Sequence, residues 1–176
     1  MENIIKILNQ YSCPKWDDLP DFDLYMDQVL FYINTHLQDL YFDLGPNDKI
    51  ITSNMVNNYV KNSIVKPPIR KHYKQYHLAF LIVVCILKRC YSLSEISSLI
   101  EIALVDRTID EAYDSFSSCF DHYLHEVMKH KRITTEYAIE DPDDKQILMM
   151  NVTKTIVYKI YSEMEIFNAP NKYLEQ

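Results

Sequence analysis

Between Thr52 and Tyr73 the chain places Asn54, Asn57, Asn58 and Lys61 at spacings of three, four and seven. Lys66, the Pro67-Pro68 pair, Arg70, Lys71, His72 and Tyr73 follow, without a single carboxylate. An asparagine amide presents a donor beside an acceptor and pairs bidentately with adenine N6 and N7, while a lysine ammonium reaches guanine or phosphate. At i, i+3, i+4 and i+7 such groups share one face of a helix, and Ser53 adds a hydroxyl to its first turn. The chemistry these types offer is recognition of base edges by a short helix, with backbone phosphates held by the cations of the loop behind it. A solvated helix face beside an ordinary basic loop has the same composition, so the residue types alone leave both readings open.

Other chemistries find little support. The chain has one glycine, Gly45, and none of the glycine-rich phosphate loops, nucleophile elbows or paired-histidine zinc motifs. In "DHYLHEVMKH", His122, His125 and Glu126 sit at neighbouring helical positions, with Asp121 and Glu126 four residues before His125 and His130. Such pairs read as surface support for a helix rather than as metal ligands. No enzyme activity, cofactor or metal is expected. Cys13, Cys85, Cys90 and Cys119 form no C-x-x-C pair and read as reduced thiols. The opening "MENIIKILNQ" lacks a continuous apolar stretch of the secretory kind. The longest apolar run, Leu78 to Leu87, is half the length needed to span a bilayer and reads as a buried core helix. The expected location is therefore the cytoplasm, with no membrane association.

Charge sharpens the contrast. The 176-residue chain has a formal net charge of -7, yet Lys49 to Ser94 holds eight cations and no acid, which leaves 10 basic and 25 acidic residues elsewhere. A sign asymmetry of this kind suits one surface facing an anionic partner while the rest repels nonspecific polyanions; the plainer alternative is attraction between the two parts of the molecule.

Elements that position the cationic stretch can be read from periodicity. Residues 1–22 form an arm pinned by Trp16 and Leu19. A helix with Asp23 as N-cap places Leu24, Val29, Ile33, Leu37 and Leu40 on a broad apolar face and breaks at "DLGPNDK". Thr52 caps a second helix that runs to about Asn62 and packs through Met55, Val56, Tyr59 and Val60. Pro67 and Pro68 forbid its continuation, which predicts a projecting loop or short β-wing. A nearly all-buried helix over Tyr76–Arg89 comes next, then one opened by a capping box of Ser92 and Glu95. A second such box, Thr108 with Glu111, opens a long amphipathic helix. The last helix has Asp141 as N-cap and Pro142 at its first position, with a stripe of Met149, Val152, Ile156, Ile160, Met164 and Phe167.

The order of these features resembles the DNA-binding domain of MerR-type transcription regulators. Thr52 to Lys61 corresponds to the recognition helix, Val65 to Tyr73 to the wing, Tyr76 to Arg89 to the third helix, and "YSLSEISSLI" to the fourth. The chain also resembles a bacterial family, domain of unknown function 1836, through Trp16, Leu19-Pro20, "DLYMDQV" and "TSNMVNNYVK", over roughly the first 105 residues. That family carries no assigned activity. Against the MerR pattern, a longer "DLGPNDKII" stretch replaces a tight glycine turn, and Ser63 stands where glycine usually precedes the wing.

The resemblance implies an all-α fold: a MerR-like winged helix-turn-helix over 23–105, a C-terminal helical hairpin extension over 106–168 that covers the core or forms a dimer, and a tail at 169–176. The function it implies is a DNA-binding transcriptional regulator acting as a homodimer on double-stranded DNA. Ser53, Asn54, Asn57, Asn58 and Lys61 are expected to read bases; Lys66, Arg70, Lys71, His72 and Tyr73 are expected to hold backbone. The alternative is a helical protein-interaction module that uses the same basic patch without DNA. A third reading adds an unknown effector bound between the last two helices and the core.

Overall fold

The N-terminal arm is itself partly helical. In the computed structural model, which describes residues 2–45 and 47–173, helix α1 spans Glu2–Gln10, and an irregular stretch with a single 3-10 turn at Trp16–Asp18 leads away from it. Pro46 and residues 174–176, the end of the expected tail, lie outside the described residues. The other helices are α2 (Met26–Leu37), α3 (Ser53–Lys61), α4 (Gln75–Leu87), α5 (Leu93–Ala103), α6 (Ile109–His130) and α7 (Asp144–Tyr173). The described residues are thus all-α, with only two isolated β-bridges. None of these helices is long and apolar enough to cross a membrane.

One core runs through every helix. Leu8 of α1, Val29 and Ile33 of α2, Val56 of α3, Leu78 and Ile82 of α4, Ile96 of α5, Phe120 of α6 and Ile156 of α7 are all fully buried in a single cluster. Nine of the thirteen α4 residues are buried, which explains why its sequence shows a continuous apolar run instead of a stripe: neighbours surround it on all sides. The pair α6 and α7, drawn from the sequence as an added hairpin, closes this core.

Helix starts follow the capping chemistry, with two shifts. The Thr52 hydroxyl accepts the Met55 amide (3.4 Å), and Ser92 and Glu95 form the reciprocal box, with the Glu95 carboxylate 2.7 Å from the Ser92 amide. Helix α7 begins two residues later than expected: Asp143, not Asp141, accepts the Gln146 amide (2.7 Å), and the Asp143 amide donates in return to the Gln146 side-chain oxygen (2.9 Å). Gln146 completes a box that Asp141 lacks, and Asp141 takes a left-handed backbone (φ 50°) as part of the turn. Likewise α2 starts after Tyr25, whose amide is held by Gln28 (2.8 Å). Asp23 pairs instead with Lys74.

Helix α7 also continues through 169–173, where a tail was expected. Its buried stripe advances in steps of four from Val152 through Ile156, Ile160 and Met164 to Asn168, so it slopes around the helix and leaves Phe167 half exposed against Phe42. The buried Asn168 amide is satisfied by the Met164 carbonyl (2.8 Å).

The connection between α2 and α3 depends on one side chain. Asn34 accepts the Ile50 amide (2.8 Å) and donates to the carbonyls of Leu30 (2.8 Å) and Ile51 (3.1 Å). It ties the segment entering α3 to α2 where the sequence lacks a tight glycine turn, and so fixes the register of α3 on the core.

Candidate nucleic-acid interface

Helix α3 divides as its spacing requires. Val56 and Tyr59 are buried and Met55 and Val60 half buried, while Ser53, Asn54, Asn57, Asn58 and Lys61 are all exposed. The five share the solvent side of a helix held to the core by its other face. Asn58 is partly engaged: its side-chain oxygen accepts from the Asn62 amide (3.1 Å), which also caps the Asn58 carbonyl (2.8 Å). Among the described residues no protein group bonds the Asn54 or Asn57 side chains.

Behind α3 the chain makes a two-residue hairpin turn. The Ile69 and His72 amides and carbonyls exchange bonds of 2.9 Å in both directions, and the residues between them, Arg70 (φ 52°) and Lys71 (φ 69°), are both left-handed. That is the φ pattern of a type I′ turn, normally filled by Asn-Gly or Gly-Gly. Here two exposed cations occupy the tip. At its base, Tyr73 pairs through its backbone with Leu24 (2.8 and 3.0 Å), and Lys66 stands 6.0 Å from the Tyr76 ring. Among the described residues, Lys61, Lys66, Arg70 and Lys71 have no carboxylate within ion-pair reach, whereas Lys74 pairs with Asp23 and Arg89 with Glu163. Arg89 also bonds the Leu40 carbonyl and lies over the Tyr41 ring (4.1 Å). It joins α4 to α7 and is lost to any surface patch.

Two of the expected backbone contacts change. Tyr73 is 3 % exposed; its ring packs in the core, where burial raises its hydroxyl pKa, so it cannot reach a phosphate. Alternation along the hairpin arm turns it inward because its neighbours face out. His72 is half buried and stacks on Tyr25 with ring centres 4.7 Å apart.

A residue that spacing did not single out holds the hairpin in place. His77, fully buried, accepts the Lys74 amide at Nδ1 (2.7 Å), so its proton sits on Nε2, which donates to the Pro67 carbonyl (3.3 Å). One imidazole thus caps α4 and fastens the start of the hairpin. Burial lowers its pKa, and protonating Nδ1 would break the cap. Because the unfolded chain then binds the proton more readily, this contribution is complete above the unfolded value of about 6.5 and is lost as pH falls below it toward the folded value, at up to about 1.4 kcal/mol per unit. Lowering the pH from 7.5 to 5.5 should selectively lower amide protection factors over 66–78, each referred to the intrinsic exchange rate at its own pH, and His77→Gln should remove that dependence. Sequence offered one signal: a histidine three residues after Lys74, at the N3 position of an otherwise apolar helix.

The histidine and acid cluster of α6 has structural work. Asp121 accepts from Ser12 Oγ (3.0 Å), the Cys13 amide (2.8 Å) and Lys15 Nζ (2.8 Å), and His125 Nε2 meets the Tyr11 carbonyl (2.7 Å). Asp114 accepts the Trp16 amide (2.7 Å) and Tyr113 donates to the Pro14 carbonyl (2.7 Å). These groups bind the arm along α6. Glu126 accepts from the Thr134 hydroxyl and from the amides of Thr134 (2.9 Å) and Thr135 (2.8 Å), which hold its carboxyl down at about 2, while His122 meets the Thr135 carbonyl (2.8 Å). The thiols are equally occupied: burial pushes Cys13 and Cys85 up to about 12 and Cys119 to about 11, values that leave little thiolate at neutral pH.

Compared with known families, residues 14–123 match the one described as Domain of unknown function (DUF1836), a span that extends beyond residue 105 through most of α6. No curated protein and no solved structure matches the chain.

Proposed function

The chain belongs to the DUF1836 family, and from that premise we propose that it is a sequence-specific DNA-binding transcriptional regulator, a MerR-like winged helix-turn-helix protein acting as a homodimer. In this reading α2 and α3 form the helix-turn-helix, with α3 in the major groove, and the turn at Arg70 and Lys71 is the wing. Asn54 and Asn57 read base edges, supported by Ser53, Asn58 and Lys61. Lys66, Arg70 and Lys71 hold phosphates on either side. The observation that carries the reading is the pairing of a wholly exposed Asn/Lys face on α3 with unpaired cations at the tip of a rigid turn, in a chain that is otherwise strongly acidic.

The test is a titration of fluorescent duplexes, including the region upstream of the protein's own gene, at low and then moderate salt. Specific binding survives the salt increase on one sequence. Asn54→Ala with Asn57→Ala should then relax base preference by about 1–3 kcal/mol per lost bidentate pair while leaving the salt slope unchanged. Absence of binding to any duplex at low salt rejects the reading.

A second reading, docking of the same surface on an acidic protein, draws on the exposed apolar side chains beside the turn: Phe22 (61 %), Tyr25 (55 %) and Ile69 (52 %). Aromatic and aliphatic groups mixed with cations suit a protein interface. Retained binding to a protein partner after loss of the Asn54 and Asn57 amides, with no duplex affinity, would favour it.

A further inference from the structure

A half-open cavity of about 100 Å3 lies where α4, α5, α6 and α7 meet. Its walls are carbon from all four helices, among them Phe80, Leu99, Phe116 and Val152, and the charged side chains that line it are both cationic, Arg107 and Lys145. Their carboxylate neighbours, Asp143 at 3.8 Å from Arg107 and Asp106 at 3.4 Å from Lys145, do not line the cavity, and the Asp106 side chain is 85 % exposed. An apolar cleft with positive charge and no negative charge in its walls selects a ligand that is itself divided, with a greasy body and an anionic end.

We infer that this cavity is a binding site for a small amphiphilic carboxylate. Size limits the body: an enclosed apolar cavity of about 150 Å3 takes up benzene, and this one, about 100 Å3 but half open, admits at most a single ring or a chain of about six carbons with one end at its mouth. The carboxylate then lies near Lys145 and Arg107, competing with Asp106 and Asp143 for their donors. The inference stands on the cavity alone and is independent of DNA binding.

Sodium hexanoate, hexan-1-ol and sodium acetate titrated into the full-length protein, followed calorimetrically and by amide chemical shifts, decide it. Hexanoate should bind saturably at one site in the micromolar to millimolar range, shifting resonances of α4 through α7, and about fivefold tighter than hexanol. Acetate, which has the charge without the body, should not saturate. Lys145→Gln should weaken hexanoate by about fivefold, the upper end for a partly exposed charge contact, and leave hexanol unchanged. Val152→Phe, which fills the cavity, should abolish binding of both, with a thermal melt showing that the variant folds; if it does not fold, the Lys145→Gln comparison decides alone. No saturable hexanoate binding overturns the inference, as does hexanol matching hexanoate, or hexanoate affinity that survives Val152→Phe in the folded variant.

Discussion

With DNA bound as proposed, a variant carrying Lys66→Ala, Arg70→Gly and Lys71→Gly is expected to lose duplex affinity by roughly 10²–10³-fold near physiological salt, while its unfolding midpoint stays the same or rises. Each phosphate contact contributes about 0.9 to the slope of log affinity against log salt, so removing three flattens that slope by about 2.7. All three side chains are exposed and no ion pair among the described residues uses them, so the core loses nothing. Arg70 and Lys71 both hold positive φ, a conformation that costs an L-residue about 1–2 kcal/mol and glycine almost nothing. Affinity and stability therefore move in different directions, which separates lost recognition from lost folding. Duplex titration at several salt concentrations, alongside thermal denaturation, reads both. An unchanged salt slope would remove these cations from any phosphate contact.

The second large effect concerns the arm. Asp121→Ala should destabilise the protein by about 2–4 kcal/mol, because the Cys13 amide and Lys15 ammonium lose their acceptor in a site where the Asp121 side chain is only 13 % exposed. Asp121→Asn keeps one acceptor oxygen and should cost less. Urea denaturation measures the difference, and limited proteolysis should show the first cleavages of the alanine variant between residues 2 and 16. Equal stability of Asp121→Ala and the parent would mean that the arm is held by its apolar contacts alone.

What sequence could reveal here follows from the range of the forces involved. Six of the seven helices were legible, wherever a stripe or a cap is local, while α1 was read only as part of an arm: Thr52 and Ser92 cap as their types require, and the exposed Asn face of α3 is where the spacing put it. Local rules misplaced the starts of α2 and α7 by two residues because neither Asp23 nor Asp141 has a Glu or Gln three residues on to complete a box. Gln28 and Gln146 made Tyr25 and Asp143 the actual starts. Tyr73 was misjudged for a different reason: its inward turn depends on pairing with Leu24, 49 residues earlier, which no window around the basic stretch contains. Asn34 and His77 were hidden for a third reason: their partners lie within 17 residues, but they are backbone carbonyls and amides that any residue could supply. Asp121 and His125 looked like a surface cluster because their partners lie more than a hundred residues away in the arm.

That separation has a consequence during synthesis. Helix α1 and the stretch to Trp16 leave the ribosome well before their hydrogen-bond partners on α6, Asp114, Asp121 and His125, which follow 98 to 114 residues later. At about 5–20 residues per second, the arm waits roughly 5–20 s before α6 exists for it to dock on. Through that interval Leu8, Tyr11 and Cys13, each at most 5 % exposed in the finished protein, lack the cover that α6 supplies. The nascent chain is therefore open to chaperones and proteases along this arm, and that vulnerability ends only when α6 emerges.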